Sequence, residues 1–322
     1  MYWQERTQVY AYRSYVIAIG AKNLVSTSEM DITDSGTVFT QTTDYKYNAK
    51  QLVSEIRTVL SDKRTIITQK KYPFDLSADP VHQLMISKNM LDFEVEQNQY
   101  LDSTAATPLQ SLKTTYKNWG NNIIAPESIS KRLGDKPYKP VVWFHAYDLA
   151  TGKILRVSKQ KDVNISYIWG YNKTLPIAEC RNAAENEIFY DGFEDQGTPG
   201  LAHAGKKFHD GDYNLTFVIP DSKTYVLRYW YRENGAWKHT GLLNYSGPQT
   251  LSLGDAIDEV RIHPAGALMT TFTYQPLVGM TSATDPNNKV SYYEYDSYGR
   301  LKYIRDEEYN ILSAYQYHYQ DR

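Results

Sequence analysis

The sequence predicts an all-β protein, and three observations carry that expectation. The 322 residues include 29 tyrosines against 9 phenylalanines. Tyrosine favours strands and keeps a polar tip, so this excess points to much half-exposed sheet. An aromatic-x-Tyr unit recurs near the C-terminus, as Phe272-Thr273-Tyr274, Tyr293-Glu294-Tyr295 and Tyr315-Gln316-Tyr317. Finally, short β-like runs separated by turn signals follow one another at a spacing of roughly ten residues through 187–264.

Composition excludes several classes. The 35 basic and 37 acidic residues leave a net charge of −2, so no global basic field argues for nucleic acid or an anionic membrane surface. Mean hydropathy is −0.57. The longest apolar run, residues 16–21, is too short to span a bilayer. The N-terminus lacks the charged-then-apolar pattern of a secretory leader. Cys180 is the single cysteine. One thiol builds neither a disulfide framework nor a cysteine zinc site, so an inert, partly buried thiol is expected.

The repeat unit has a physical reading. In Tyr293-Glu294-Tyr295-Asp296-Ser297-Tyr298-Gly299-Arg300-Leu301, alternation gives a strand with tyrosines on one face. Asp296 starts a turn by bonding backbone two residues on, and Gly299 supplies the positive φ that closes it. Residues 301–305 return as the second strand. One such hairpin cannot bury its own face, so neighbouring copies must stack.

Five regions follow along the chain. Residues 1–78 read as degenerate hairpins. Residues 79–140 hold one helix over about 79–91, capped by Asp79 with Pro80 at its first position, then connecting strands. Residues 141–186 and 265–322 carry the clearer repeats. Residues 187–264 break the period and read as a small β-sandwich inserted into the array.

The motif Tyr295-Asp296-Ser297-Tyr298-Gly299-Arg300-Leu301 resembles the YD repeat of Rhs-type proteins. Tyr147-Asp148-Leu149-Ala150-Thr151-Gly152-Lys153 is similar, with one extra residue before the glycine. Tyr45-Lys46-Tyr47-Asn48 with Leu52 resembles a degenerate copy. The segments 169–174 and 276–282 look like the large YD-repeat proteins of Bacteroidetes. That resemblance implies a spiral β-hairpin shell on a secreted or surface-displayed bacterial protein, enclosing or displaying a variable C-terminal segment, often a toxin. The repeats here are too few to close a shell, so a piece of a longer protein or a truncated relative is expected. Phe193-Glu194-Asp195 and Ile257-Asp258-Glu259-Val260 make the insert resemble jelly-roll carbohydrate-binding modules.

Two constellations in the insert could carry chemistry. Asn234-Gly235 is a strong two-residue hairpin signal. It pairs Glu233 with Ala236, Arg232 with Trp237, Trp230 with His239 and Arg228 with Gly241. One face then gathers Arg228, Trp230, Arg232, Trp237 and His239, and the other Leu227, Tyr229, Tyr231, Thr240 and Leu242 as core. Aromatic rings flanked by donors suit a glycan. The alternatives are Arg232 stacking on Trp237, or packing of this face on the repeats. The acidic residues Asp191, Glu194 and Asp195 open the insert, while Asp258 and Glu259 sit in its last strand. Glu194 and Asp258 are the candidate ligands of a structural calcium, as resembling modules imply. The same carboxylates could serve a glycoside hydrolase, but so small a sandwich rarely offers the deep cleft this needs. No HExxH, Walker loop or GxSxG elbow occurs. The expected function is structural and binding, without catalysis, through the repeats or through the carbohydrate face.

Overall fold

The computed structural model describes residues 22–102 and 104–318; the apolar run 16–21 and the N-terminal pattern lie outside them. The protein is all-β. The chain first lays down β1 (Ser26–Ile32), β2 (Val38–Tyr47), β3 (Val53–Val59) and β4 (Thr65–Lys71). A short helix, α1 (Pro80–Ser87), precedes β5 (Glu96–Leu101), β6 (Gln110–Gly120) and β7 (Ile123–Leu133). Then come β8 (Lys139–Tyr147), β9 (Ile154–Lys159), β10 (Asn164–Gly170) and β11 (Leu175–Arg181). The insert supplies β12 (Phe189–Asp191), β13 (Thr198–Pro199), β14 (Lys207–Asp210), β15 (Tyr213–Leu215) and β16 (Tyr225–Glu233). It continues with β17 (Ala236–His239), β18 (Leu243–Tyr245), β19 (Gln249–Leu251) and β20 (Ala256–Pro264). The array resumes with β21 (Leu268–Gln275), β22 (Gly279–Thr284), β23 (Val290–Tyr295), β24 (Leu301–Arg305) and β25 (Ile311–Ala314).

The repeats form one frame. Sixteen strands make a single antiparallel sheet in chain order from β1 to β11 and on through β21 to β25. β11 pairs directly with β21, so the insert leaves and returns without breaking the ladder. Residues 92–140 hold no separate unit: β5 to β8 are frame strands. Pro126 and Pro140 sit beside register shifts, where a missing ladder N–H costs least.

A common latch explains the aromatic period. At or just past the end of alternate strands, a ring donor reaches back to a carbonyl near the start of the preceding strand. Tyr47 bonds Leu24, Tyr72 bonds Val53, Tyr147 bonds Pro126 and Trp169 bonds Ile154, all at 2.8–2.9 Å. Tyr274 bonds Pro176, Tyr295 bonds Met280 and Tyr317 bonds Leu301, each at 2.8 Å. The Tyr274 latch spans the insert, so the period continues across it. β6 departs from the pattern, since Trp119 donates forward to Ala125. The following turn also repeats. Asp296 accepts from the Tyr298 and Arg300 N–H groups, and Asp148 from Ala150 and Thr151. Asn48 does the same for Lys50 and Leu52 in the degenerate copy. The closing position has positive φ throughout, at Gly299 (73°), Gly152 (70°) and Gln51 (61°).

The helix is shorter than the sequence suggests. Asp79 caps it at the Val81 N–H, 2.8 Å away, as expected. It ends at Ser87 because Lys88 turns and Asn89 takes φ 58°. His82 and Met85 are its buried side chains.

The insert has two unequal layers. Its main sheet runs β13-β14-β20-β16-β17, with β12 paired to β20 and β18 to β16, and only β15 and β19 form the second layer. This is not a jelly roll of two matched sheets. The apolar core lies between these layers, with Leu215 and Leu251 packed against Leu227, Tyr229, Ile257, Val260 and Ile262. A second cluster, including Cys180, Ile188, Tyr190 and Met269, fills the root where insert meets frame. Burial pushes the Cys180 thiol up to about 12, so it is inert at neutral pH.

Candidate functional site

The main sheet of the insert has a second face, covered in part by the frame and in part by the insert's own segment 201–207. β20 reaches that face through an irregularity. Its register against β16 shifts between Arg228 and Trp230, leaving one extra residue on β20. Glu259 there takes φ 51°, a left-handed conformation costly for a residue with a side chain. The bulge turns Asp258, Glu259 and Arg261 away from the core while Ile257, Val260 and Ile262 stay in it. The three charged residues are 0%, 1% and 3% exposed.

Glu259 is the hub. Its carboxylate accepts from Arg261 Nη2 at 2.6 Å and from Tyr190 Oη at 3.2 Å. It also accepts from two frame hydroxyls, Thr271 Oγ1 at 3.0 Å and Thr284 Oγ1 at 3.1 Å. Arg261 Nη1 bonds the Asp285 carbonyl, and Arg228 Nη1 bonds Pro286, both in the frame turn after β22. Burial pushes the Glu259 carboxyl up, but Arg261, His203 and the hydroxyl donors more than offset it and hold it below its ordinary value. His203 lies close by, with Nδ1 3.9 Å from the Glu259 carboxylate. Burial drives its pKa down to about 4, so it is neutral at pH 7.

The hairpin register is as the sequence suggests for Glu233–Ala236, Arg232–Trp237 and Trp230–His239. Arg228 does not pair with Gly241. Leu227 pairs with Leu243, so an extra residue enters beyond His239. Leu242 accordingly lies exposed rather than in the core, while Leu227 and Tyr229 are buried there. The face carrying Arg228, Trp230, Arg232, Trp237 and His239 is not an open platform. Trp230 stacks on His203 with ring centroids 3.5 Å apart, and the His203 carbonyl accepts from Tyr292 of the frame. Arg228 is turned onto the frame. Arg232 lies over the rings of Phe208 and Trp237 and bonds Asp255. Trp237 donates to the Leu201 carbonyl. His239 alone is exposed, and its Nδ1 takes the Gly241 N–H.

Glu194 and Asp258 act on the segment that covers this face. Asp258 accepts the N–H groups of His203, Ala204 and Glu259. Burial holds its carboxyl well above the usual range. Glu194 accepts the N–H groups of Lys206 and Lys207 and the Tyr171 hydroxyl. The two carboxylates thus serve mainly backbone donors, Glu194 also taking the Tyr171 hydroxyl. Among the described residues no group of three or more His, Cys, Asp or Glu could hold a metal ion. Asp191 takes the Phe193 N–H and the Tyr213 hydroxyl.

Sequence reasoning named Asp258 and Glu259 but not their partners Tyr190, His203, Arg261, Thr271 and Thr284. A signal existed: three charges within four positions of a strand otherwise apolar are tolerable inside only when paired.

No family model matches the chain, and no curated protein matches it. Among solved structures it is similar to a chain of a TcdB2-TccC3-Cdc42 complex, at 10% identity and TM-score 0.23, over 92% of this chain and 14% of that one. A TcdB2-TccC3 structure gives 11% identity and TM-score 0.24, over 91% and 18%. A Photorhabdus luminescens Tc holotoxin pore gives 12% and 0.18, over 88% and 14%. The chain spans about a seventh to a fifth of the length of these proteins. Likeness this distant identifies no relative.

Proposed function

We propose that this chain is a non-catalytic wall segment of an Rhs-type YD-repeat shell on a secreted or surface-displayed bacterial protein, enclosing or displaying a cargo segment. The observation that carries the reading is the latch period. At alternate strands other than β6, a donor at the strand end ties a hairpin to the one before it, and the tie between Tyr274 and Pro176 continues across the insert. A sheet built this way grows by adding hairpins and has no intrinsic end. Apolar side chains on its outer strands, Met30, Ile32, Ile311 and Leu312, stay exposed, as expected of surfaces that meet further protein. The insert is a fixed decoration of the wall; on its aromatic and basic face Arg228 holds the frame, while Trp230, Arg232 and Trp237 are engaged by the insert's own His203, Phe208, Asp255 and Leu201. A role for that face in glycan binding, and a calcium requirement, are not part of this reading.

Cryo-electron microscopy of the protein purified from its natural host tests the proposal. The sixteen strands are expected as one stretch of a curved wall around internal density. A free ribbon with solvent on both faces, or turnover on a polysaccharide panel, would overturn it.

A further inference from the structure

On the far side of Tyr190 from the Glu259 hub, a groove of about 530 Å³ opens between frame and insert. Ligand sites favour such interfaces between units and fall in this range of size. Trp169 comes from frame strand β10, and Asp191, Phe193, Asp195, His209 and Tyr213 come from the insert. The walls are aromatic. Phe193 and Tyr213 meet edge to face at 5.0 Å, and His209 lies 5.4 Å from Phe193 and 5.1 Å from Tyr213.

The charges are one-sided. Asp191 and Asp195 line the groove and no lysine or arginine does, although the Lys153 ammonium lies over the Trp169 ring, 5.0 Å from its centroid. Each carboxylate is fixed by backbone: Asp191 by the Phe193 N–H, and Asp195 by the Tyr171 N–H at 3.1 Å. Asp195 takes that bond on Oδ2 and is exposed. Aromatic faces present negative potential to a cation, and two carboxylates in a concave groove, Asp191 half-buried and Asp195 exposed, add to it. A neutral sugar would gain the ring contacts but none of this field.

We propose that the groove binds an organic cation, a protonated amine or guanidinium, free or carried on a partner's side chain. The proposal does not depend on the shell reading, since the groove needs only frame and insert together.

Calorimetric titration of the whole chain at pH 7.5 tests it. The probes are n-butylammonium, N-acetyl-glycyl-lysyl-glycine amide, n-butanol, methyl glucoside and potassium chloride. Saturable binding of the two ammonium probes is expected, with n-butanol and methyl glucoside at least about tenfold weaker and potassium without effect. Asp195→Asn, at an exposed position, should cost the ammonium probes about tenfold and leave n-butanol unchanged. Asp191→Asn with Asp195→Asn should abolish the preference for cations. Equal affinity for the free amine and the peptide supports a small-molecule ligand, and a clear gain for the peptide supports a partner's side chain. Absence of saturable ammonium binding, equal binding of n-butanol, preferential binding of methyl glucoside or indifference to Asp195→Asn would each overturn the proposal.

Discussion

Frame and insert hold a sheet together in different ways. The frame is one layer that repeats a local rule, in which a ring at a strand end bonds a carbonyl one strand back and an Asx turn begins the return. Apart from the Tyr274 latch across the insert, each latch joins residues no more than 23 positions apart. The insert instead covers one face with a thin apolar layer and shares the other between its own segment 201–207 and the frame, which joins it at a buried ion pair on a strained bulge. Repetition spreads stability over many small bonds, whereas the junction concentrates it in a few residues whose loss is felt on both sides.

The largest expected difference lies at the hub. Glu259→Gln leaves the Arg261 guanidinium, 3% exposed, without its partner. Breaking a buried pair from one side costs about 3–5 kcal/mol, measured by urea unfolding. A cost below about 1 kcal/mol would mean that the junction is no more than another surface contact.

Second in size is a pH effect. His203 has a folded pKa of about 4 against an ordinary 6.5. The unfolded chain therefore takes up the proton first as pH falls. Stability from the neutral, buried ring is complete above pH 6.5 and is lost as pH drops from 6.5 towards 4, by up to about 3 kcal/mol. Asp258 works in the opposite direction, because its raised pKa favours the folded state on acidification. The comparison of wild type with His203→Gln across this window isolates the histidine. Parallel curves would show that the ring is not held neutral by burial.

The frame should respond more weakly. Tyr295→Phe removes the hydroxyl that donates to Met280 and should cost about 1 kcal/mol. Tyr274→Phe should cost the same, even though its partner is 98 positions away in sequence. A much larger loss there would place Tyr274 in the junction rather than the frame. The smallest effect is a gain. Gln51 holds φ 61° where better copies carry glycine, so Gln51→Gly should stabilise by up to about 1 kcal/mol.

The contrast also decides what was legible in the sequence. Tyr295, Asp296 and Gly299 announce strand end, turn and left-handed closure at fixed offsets, so the hairpins can be read without coordinates. The register around Asn234-Gly235 is equally local and holds as far as His239. What lay beyond reach was set by other strands. The bulge at Glu259 has no glycine to mark it, and it alone brings Asp258 and Glu259 to one side. Arg228 and Trp230 alternate with core residues as a binding face would, but the Pro286 carbonyl of the frame turn takes Arg228 and the His203 ring covers Trp230. The carboxylates of Glu194 and Asp258 were legible, but not their partners, the N–H groups of residues 203–207, because the sequence does not specify that loop's path.

Native-state hydrogen exchange on the wild type and Glu259→Gln tests the central claim, that insert and frame are joined at Glu259 into one unit. In the wild type, the slowest amides of β16 and β20 should open with the same free energy as those of β21 and β22. All four strands should lose protection together in the variant, while β2 and β3 keep theirs. If only β16 and β20 lose protection and β21 and β22 stay unchanged, the insert is an independent module resting on the frame, and the account fails.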